Sequence, residues 1–202
     1  MFKINEILIG SNNKGKFKEI SDLLPKKIKK VSLEKFQIES PEENGKTFLE
    51  NSKIKANFFC KKSNMVTISD DSGLEINCLD GMPGIFSSRW ADKYGSFDNA
   101  MSEILKMIKK VNKKKKIKNT KAKFVCALTI KWPNGKIISE IGEIVGQISD
   151  SKKGKNGFGY DPIFIPKNYS KTFAEMDYKE KLIIDHRFKA YQKIVRKIKD
   201  YF

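Results

Sequence analysis

Arginine is nearly absent from this 202-residue chain: Arg89, Arg187 and Arg196 stand against 38 lysines. The planar fork that reads bases and phosphates in two places at once is therefore scarce. Histidine occurs once, at His186, and the three cysteines (Cys60, Cys78, Cys126) form no C-x-x-C pair. That excludes a zinc cluster of the usual spacing, and the odd number argues against a disulfide framework. A reduced, cytoplasmic setting is the expectation. No apolar run approaches the ~20 residues of a membrane span. The opening M-F-K-I-N-E-I-L-I-G has too short an apolar stretch for a signal peptide.

What the chain does contain is enough for a core. Hydrophobic residues make up 39% and aromatics 11%, which excludes disorder of the whole chain. The length suits one substantial domain or two small lobes, burying roughly 70% of the unfolded surface. The net charge of +17 suits a nucleic acid, a membrane surface or a polyanionic small molecule. It equally suits a general lysine bias with solvated faces.

Along the chain, Ile7-Leu8-Ile9 reads as a buried strand that ends at Gly10-Ser11-Asn12-Asn13, and Phe17, Ile20 and Leu24 space a helix that Pro25 stops. An acidic loop, Pro41–Gly45, precedes a second helix whose face holds Leu49, Ala56, Phe59 and Cys60. Two short strands, Met65–Ser69 and Leu74–Cys78, flank Asp70-Asp71-Ser72-Gly73, which reads as a turn. Met101, Ile104, Leu105 and Ile108 mark a further helix. Val111–Lys123 reads as a solvated connection and a boundary between lobes. Strands at Phe124–Trp132 and Ile137–Val145 are joined by Pro133-Asn134-Gly135, a hairpin signal. A last helix opens at Asp177 and Glu180. The order is that of a mixed α/β sheet protein, neither all-parallel nor all-antiparallel.

Five segments could carry chemistry. S-N-N-K-G-K stands where a strand becomes a helix, so unpaired N–H groups and Lys14 or Lys16 could take an anion; it could also be an ordinary βα turn. Asp70 and Asp71 could bind a divalent cation and polarise a water, or could be solvated turn formers. Glu42 and Glu43 could add ligands or favour a helix dipole. G-F-G-Y-D-P offers an aromatic for base stacking, or a bulge with core aromatics. Lys181, His186 and Arg187 supply donors for an anion or carbonyl.

These motifs in this order (S-N-N-K-G-K, E-E-N-G-K-T-F-L-E-N, S-D-D-S-G-L, G-M-P-G-I-F-S-S-R, G-F-G-Y-D-P-I-F and D-H-R) resemble the inosine triphosphate pyrophosphatase family from Ile7 to the final helix. The resemblance implies an elongated α/β fold of two lobes around a long mixed twisted β-sheet with flanking helices. A cleft between the lobes would hold the site, and residues 1–202 would form one nucleoside-triphosphate pyrophosphatase domain. It further implies a homodimer and magnesium-dependent hydrolysis of ITP, dITP and XTP between the α and β phosphates. Ser11, Asn12, Asn13, Lys14, Gly15 and Lys16 would be the phosphate loop. Glu42 and Asp71 would hold magnesium, with Asp71 also the catalytic carboxylate. Ser72 would contact substrate, and Phe158 would stack on the base within Phe158, Gly159, Tyr160 and Asp161. Lys181, His186 and Arg187 would complete the substrate-binding group. Asp185 departs from the family's usual Ser before His-Arg, beside the groups that would select the base.

Two other readings compete. A basic nucleic-acid-binding module would explain the charge but has no use for Asp71. A septum-type pyrophosphatase would act on modified pyrimidine nucleotides, against which G-F-G-Y-D-P and D-H-R stand. No membrane and no stable nucleic-acid partner are expected.

Overall fold

The computed structural model describes residues 3–198 and 201. Six strands, β1 (Glu6–Ile9), β2 (Lys29–Val31), β3 (Thr67–Ile76), β4 (Lys121–Lys131), β5 (Ile137–Ile148) and β6 (Phe164–Pro166), pair in the order β2-β1-β3-β4-β5-β6. The sheet is mixed. β1 lies parallel to β2 and β3, with Leu8 opposite Val31 and Thr67, whereas β5 and β6 are antiparallel, with Ile148 opposite Phe164. Helices α1 (Lys14–Leu23), α2 (Phe48–Ser63), α3 (Ser87–Tyr94), α4 (Phe97–Lys115), α5 (Tyr178–Leu182) and α6 (His186–Ile198) accompany it. This is the mixed α/β architecture the sequence leads one to expect.

The chain forms two compact units. The first takes the chain up to Asp71, Cys126–Gly142 and the chain from His186 onward; the second takes Ser72–Val125 and Glu143–Asp185. In the first, β1 is apolar on both faces, as a parallel strand covered on both sides must be. Ile7 and Ile9 pack with Ile20, Ile68, Leu128 and Ile194, while Leu8 turns to Val31, Leu33 and Phe59. Asn13 caps α1 by accepting from the Lys16 N–H at 3.0 Å, and the helix ends at Leu24 before Pro25. Thr47 caps α2 in the same way, accepting from Glu50 N–H at 3.1 Å. Gly142 of β5 leaves room for α6, because a Cβ there would lie 2.1 Å from the His186 carbonyl oxygen and 2.2 Å from Ala190 N. The core of the second unit includes Leu74, Ile104, Phe124, Phe164 and Phe173, with Phe124 and Phe164 edge to face at 4.8 Å.

Three expectations need correction. Asp70–Gly73 is not a turn: β3 runs unbroken through it, because both acids find partners within the fold and no residue there has to leave the extended backbone. The lysine segment is not a loose boundary, since α4 continues to Lys115 and the units divide elsewhere. Its apolar side keeps helical spacing through Ile108. The last helix is two helices, with Ile183–Asp185 separating α5 from α6.

Candidate active site

Successive side chains of a strand point to opposite faces, so β3 sends Asp70 and Asp71 into different surroundings. Asp70 is fully buried. Its Oδ2 accepts from Arg187 Nη2 at 2.9 Å and lies 3.4 Å from Lys16 Nζ. Arg187, itself 1% exposed, also donates to Glu19 of α1. Burial raises the Asp70 carboxyl, but Lys16, Arg187 and Lys55 together outweigh it and hold it well below the usual carboxylate range. Asp70 is thus a fixed negative charge tying α1, β3 and α6 together.

Asp71 is in a different position. Its Oδ1 lies 3.8 Å from Lys55 Nζ, which is held more closely by Glu43 at 2.9 Å. Burial raises the Asp71 carboxyl, Lys55 and Lys16 oppose it, and Glu43 adds to it, leaving it pushed up to about 6. Burial works against the Lys55 ammonium, yet Asp71, Asp70 and Glu43 outweigh it, so its affinity for the proton rises. Asp71 Oδ2 is buried and has no hydrogen-bond partner. An unshared carboxylate oxygen beside a second carboxylate fits magnesium, which takes one or two protein carboxylates and fills its shell with water and substrate phosphates. Among the described residues no three His, Cys, Asp or Glu side chains gather as a complete cage, and magnesium needs none. Glu42 is exposed; Glu43 is the member of the acidic pair placed beside Lys55.

The loop from Ser11 to Lys16 lies in the same unit and leads into α1. Gly10 makes its start possible: its N–H donates to Ile68 O at 2.8 Å, and a Cβ would fall 2.2 Å from Ser69 Oγ. Asn12 Nδ2 donates to Ser40 Oγ at 2.9 Å. Asn12, Asn13 and Lys14 are exposed, while Ser11, Gly15 and Lys16 are half-buried. The α1 N-terminus therefore exposes Lys14, while the Lys16 ammonium turns inward to Asp70. His186 and Arg187, both buried, open α6 in this unit as well.

The remaining expected residues lie in the second unit. Lys181 Nζ donates to Asp161 Oδ2 at 2.5 Å and lies 4.8 Å from the centre of the Phe158 ring. Phe158 N–H donates to that same Asp161 oxygen at 2.8 Å. Gly157 (φ 73°) allows this close turn, since a Cβ would strike Asp161 Oδ2 at 2.1 Å. Phe158 stays half-buried, whereas Tyr160 is buried and donates its hydroxyl hydrogen to Ser87 O at 2.8 Å. Gly159 (φ 63°) links the two rings, and Ser72 is half-buried just beyond Asp71.

Comparison with known proteins bears on this arrangement. Residues 7–197 match the Ham1 family. The chain belongs to that family. It is 40% identical over 201 residues to a dITP/XTP pyrophosphatase of Clostridium tetani, covering 96% of each chain. It is 36% identical over 190 residues to one of Zymomonas mobilis, covering 94% of this chain and 90% of that protein. A HAM1 protein from Coxiella burnetii superposes with a TM-score of 0.85 at 33% identity, covering 99% of this chain and all of the other. The Staphylococcus aureus Ham1 protein gives 0.82 at 34%, covering 98% and 100%. The family resemblance carried by the six motifs is thus borne out over residues 7–197.

Sequence reasoning missed Lys55, Glu43's pairing, and the Glu19–Arg187–Asp70 set. Lys55 left a signal. It stands on the buried face of α2 with Ser52, Ala56 and Phe59, and a lysine on a core face is paired or functional. Nothing in sequence spacing brings Glu19 to Arg187.

Proposed function

We propose that this chain hydrolyses non-standard purine nucleoside triphosphates (dITP, ITP and XTP) to the monophosphate and pyrophosphate. The observation that carries the reading is Asp71, a buried carboxylate with a raised proton affinity and an unshared oxygen, beside a lysine–glutamate pair. A carboxyl near 6 is ionised at neutral pH yet still basic enough to take a proton from water. Water activated there attacks the α-phosphorus, the bond from that phosphorus to the αβ bridging oxygen breaks, and pyrophosphate leaves. Lys55 holds Glu43 and Asp71 in place and keeps their negative charges from repelling each other. A divalent cation held by Asp71 and the acidic loop, with Glu43 the better placed of Glu42 and Glu43, would polarise the phosphoryl oxygens and offset their charge. Ser11–Lys16 receives the phosphates through helix N–H groups and the Lys16 ammonium.

Phe158 offers the base a stacking face, and Asp161 holds the Lys181 ammonium above it. That donor favours a 6-keto purine and meets the 6-amino group of adenine as donor against donor. We also assign Ser72, Gly159 and Tyr160 to substrate contact, with His186 and Arg187 as further donors. Arg187 is buried and engaged by two carboxylates, Glu19 and Asp70. Magnesium is the cation we assign, and the whole chain acts as one catalytic domain. We also assign a cytoplasmic homodimer, supported by the buried Cys60 and Cys78 thiols and by exposed Met82, Phe86 and Val145. Light scattering of the purified protein tests the dimer.

Turnover of dITP by wild type and Asp71→Asn, each with magnesium and with a chelator, tests the mechanism. The variant is expected to melt as a folded protein and lose about 10²–10⁴-fold in kcat, and the chelator to abolish turnover. A folded variant with near-normal kcat would remove Asp71 from the chemistry.

A further inference from the structure

Nine lysines stand between Lys106 and Lys121 with no Asp or Glu among them. This 16-residue segment holds nine of the chain's net 17 positive charges; the overall share of 38 lysines in 202 residues would place about three there. A general lysine bias therefore does not account for it. All nine are exposed. Lys106 lies 3.6 Å from Glu103, and among the described residues Lys109–Lys121 make no ion pair.

The array is held in shape. α4 carries it as far as Lys115 while Met101, Ile104 and Ile108 anchor the opposite side in the core. Beyond the helix, Asn112 Nδ2 donates to Asn119 O at 3.1 Å, and Asn119 N–H donates to Asn112 Oδ1 at 3.2 Å. Asn119 Nδ2 donates in turn to Asn77 Oδ1 at 2.6 Å. The helix dipole rewards lysines in the last turn, which accounts for Lys113–Lys115 but not for Lys106, Lys109, Lys110, Lys118 or Lys121. Lys106–Lys110, Lys109–Lys113 and Lys110–Lys114 are like charges four apart, each opposing the helix they sit on. A polyanion laid along the ridge relieves that repulsion.

We propose that the solvent face of α4 and its following loop docks the phosphodiester backbone of a nucleic acid, without reading its sequence. From Lys106 to Lys115 the ridge runs about 15 Å, a length over which duplex DNA carries roughly nine charges. The segment has no arginine and no aromatic residue, so neither bidentate base contacts nor stacking are available. Its one exposed large apolar side chain is Ile117, too little to insert into lipid. The complex is salt-labile rather than stable.

The test is fluorescence anisotropy of the full chain with a labelled 30-nucleotide strand and its duplex, from 25 to 300 mM salt. Vesicles of phosphatidylcholine and phosphatidylglycerol are titrated in parallel. K110Q/K114Q/K116Q/K118Q is compared with K26Q/K27Q/K61Q/K62Q, which removes equal charge from the other unit. The ridge variant is expected to bind at least tenfold more weakly at 50 mM salt. Its log–log salt slope is expected to become shallower by about 0.9 for each duplex phosphate that it no longer neutralises. The second variant is expected to bind less than threefold more weakly. Equal losses in both variants would assign binding to diffuse charge and overturn the proposal. So would absence of binding at 25 mM salt, or tighter binding to the vesicles than to either nucleic acid. Circular dichroism confirms that both variants are folded.

Discussion

Two neighbouring carboxylates, Asp70 and Asp71, differ in chemistry because a strand sends them to opposite faces. Asp70 meets an arginine and a lysine and stays ionised; Asp71 shares one lysine with Glu43 and holds its proton to about 6. Their contributions to stability run oppositely with pH. The depressed Asp70 group stabilises the fold above the ordinary carboxylate range, near 3.9, and that contribution fades as pH falls below it. The raised Asp71 group binds its proton more tightly in the folded state, so in metal-free protein its contribution falls as pH rises from about 4 to 6. Urea titrations at several pH values are expected to show the second trend in wild type and not in Asp71→Asn. A trend of the same size in both would assign it to other groups. Lys55→Met leaves Glu43 and Asp71 facing each other without a cation. Removing one partner of a buried pair costs about 3–5 kcal/mol, so a markedly lower denaturant midpoint in metal-free protein is the expected result. Magnesium is expected to restore part of it. An unchanged midpoint would show that Lys55 bears no structural charge.

At the scale of elements, the seat of α6 against β5 depends on Gly142. Gly142→Ala places a methyl against the backbone of His186 and Ala190, which cannot yield as a flexible side chain would. The expected loss is at least the roughly 1–3 kcal/mol of an overpacked core, read as a fall in melting temperature. A variant that melts like wild type would mean that α6 shifts freely. Much at this scale was legible in the sequence. Ile7-Leu8-Ile9 announced a doubly buried strand, Pro25 ended α1, and Asn134-Gly135 placed the turn between β4 and β5. Asp70–Gly73 was misread because Asp, Ser and Gly are turn formers by local propensity, and Arg187, far along the chain, overrides that propensity by pairing with Asp70. The break at Ile183–Asp185 left no proline or glycine to mark it. Lys55 was legible as a charge on an apolar helix face, whereas Glu43 and Glu42 are indistinguishable until folding exposes one and pairs the other.

For the molecule as a whole, the residues proposed for the reaction fall in both compact units. Ser11–Lys16 and Asp71 belong to the first, and Phe158, Asp161 and Lys181 to the second. The most direct test is hydrolysis of ITP, dITP, XTP, GTP and ATP with magnesium and with a chelator, measuring pyrophosphate and orthophosphate separately. Magnesium-dependent release of pyrophosphate, faster from ITP, dITP and XTP than from GTP and ATP, is the predicted result. Orthophosphate as the sole product, or equal rates on all five nucleotides, would contradict it.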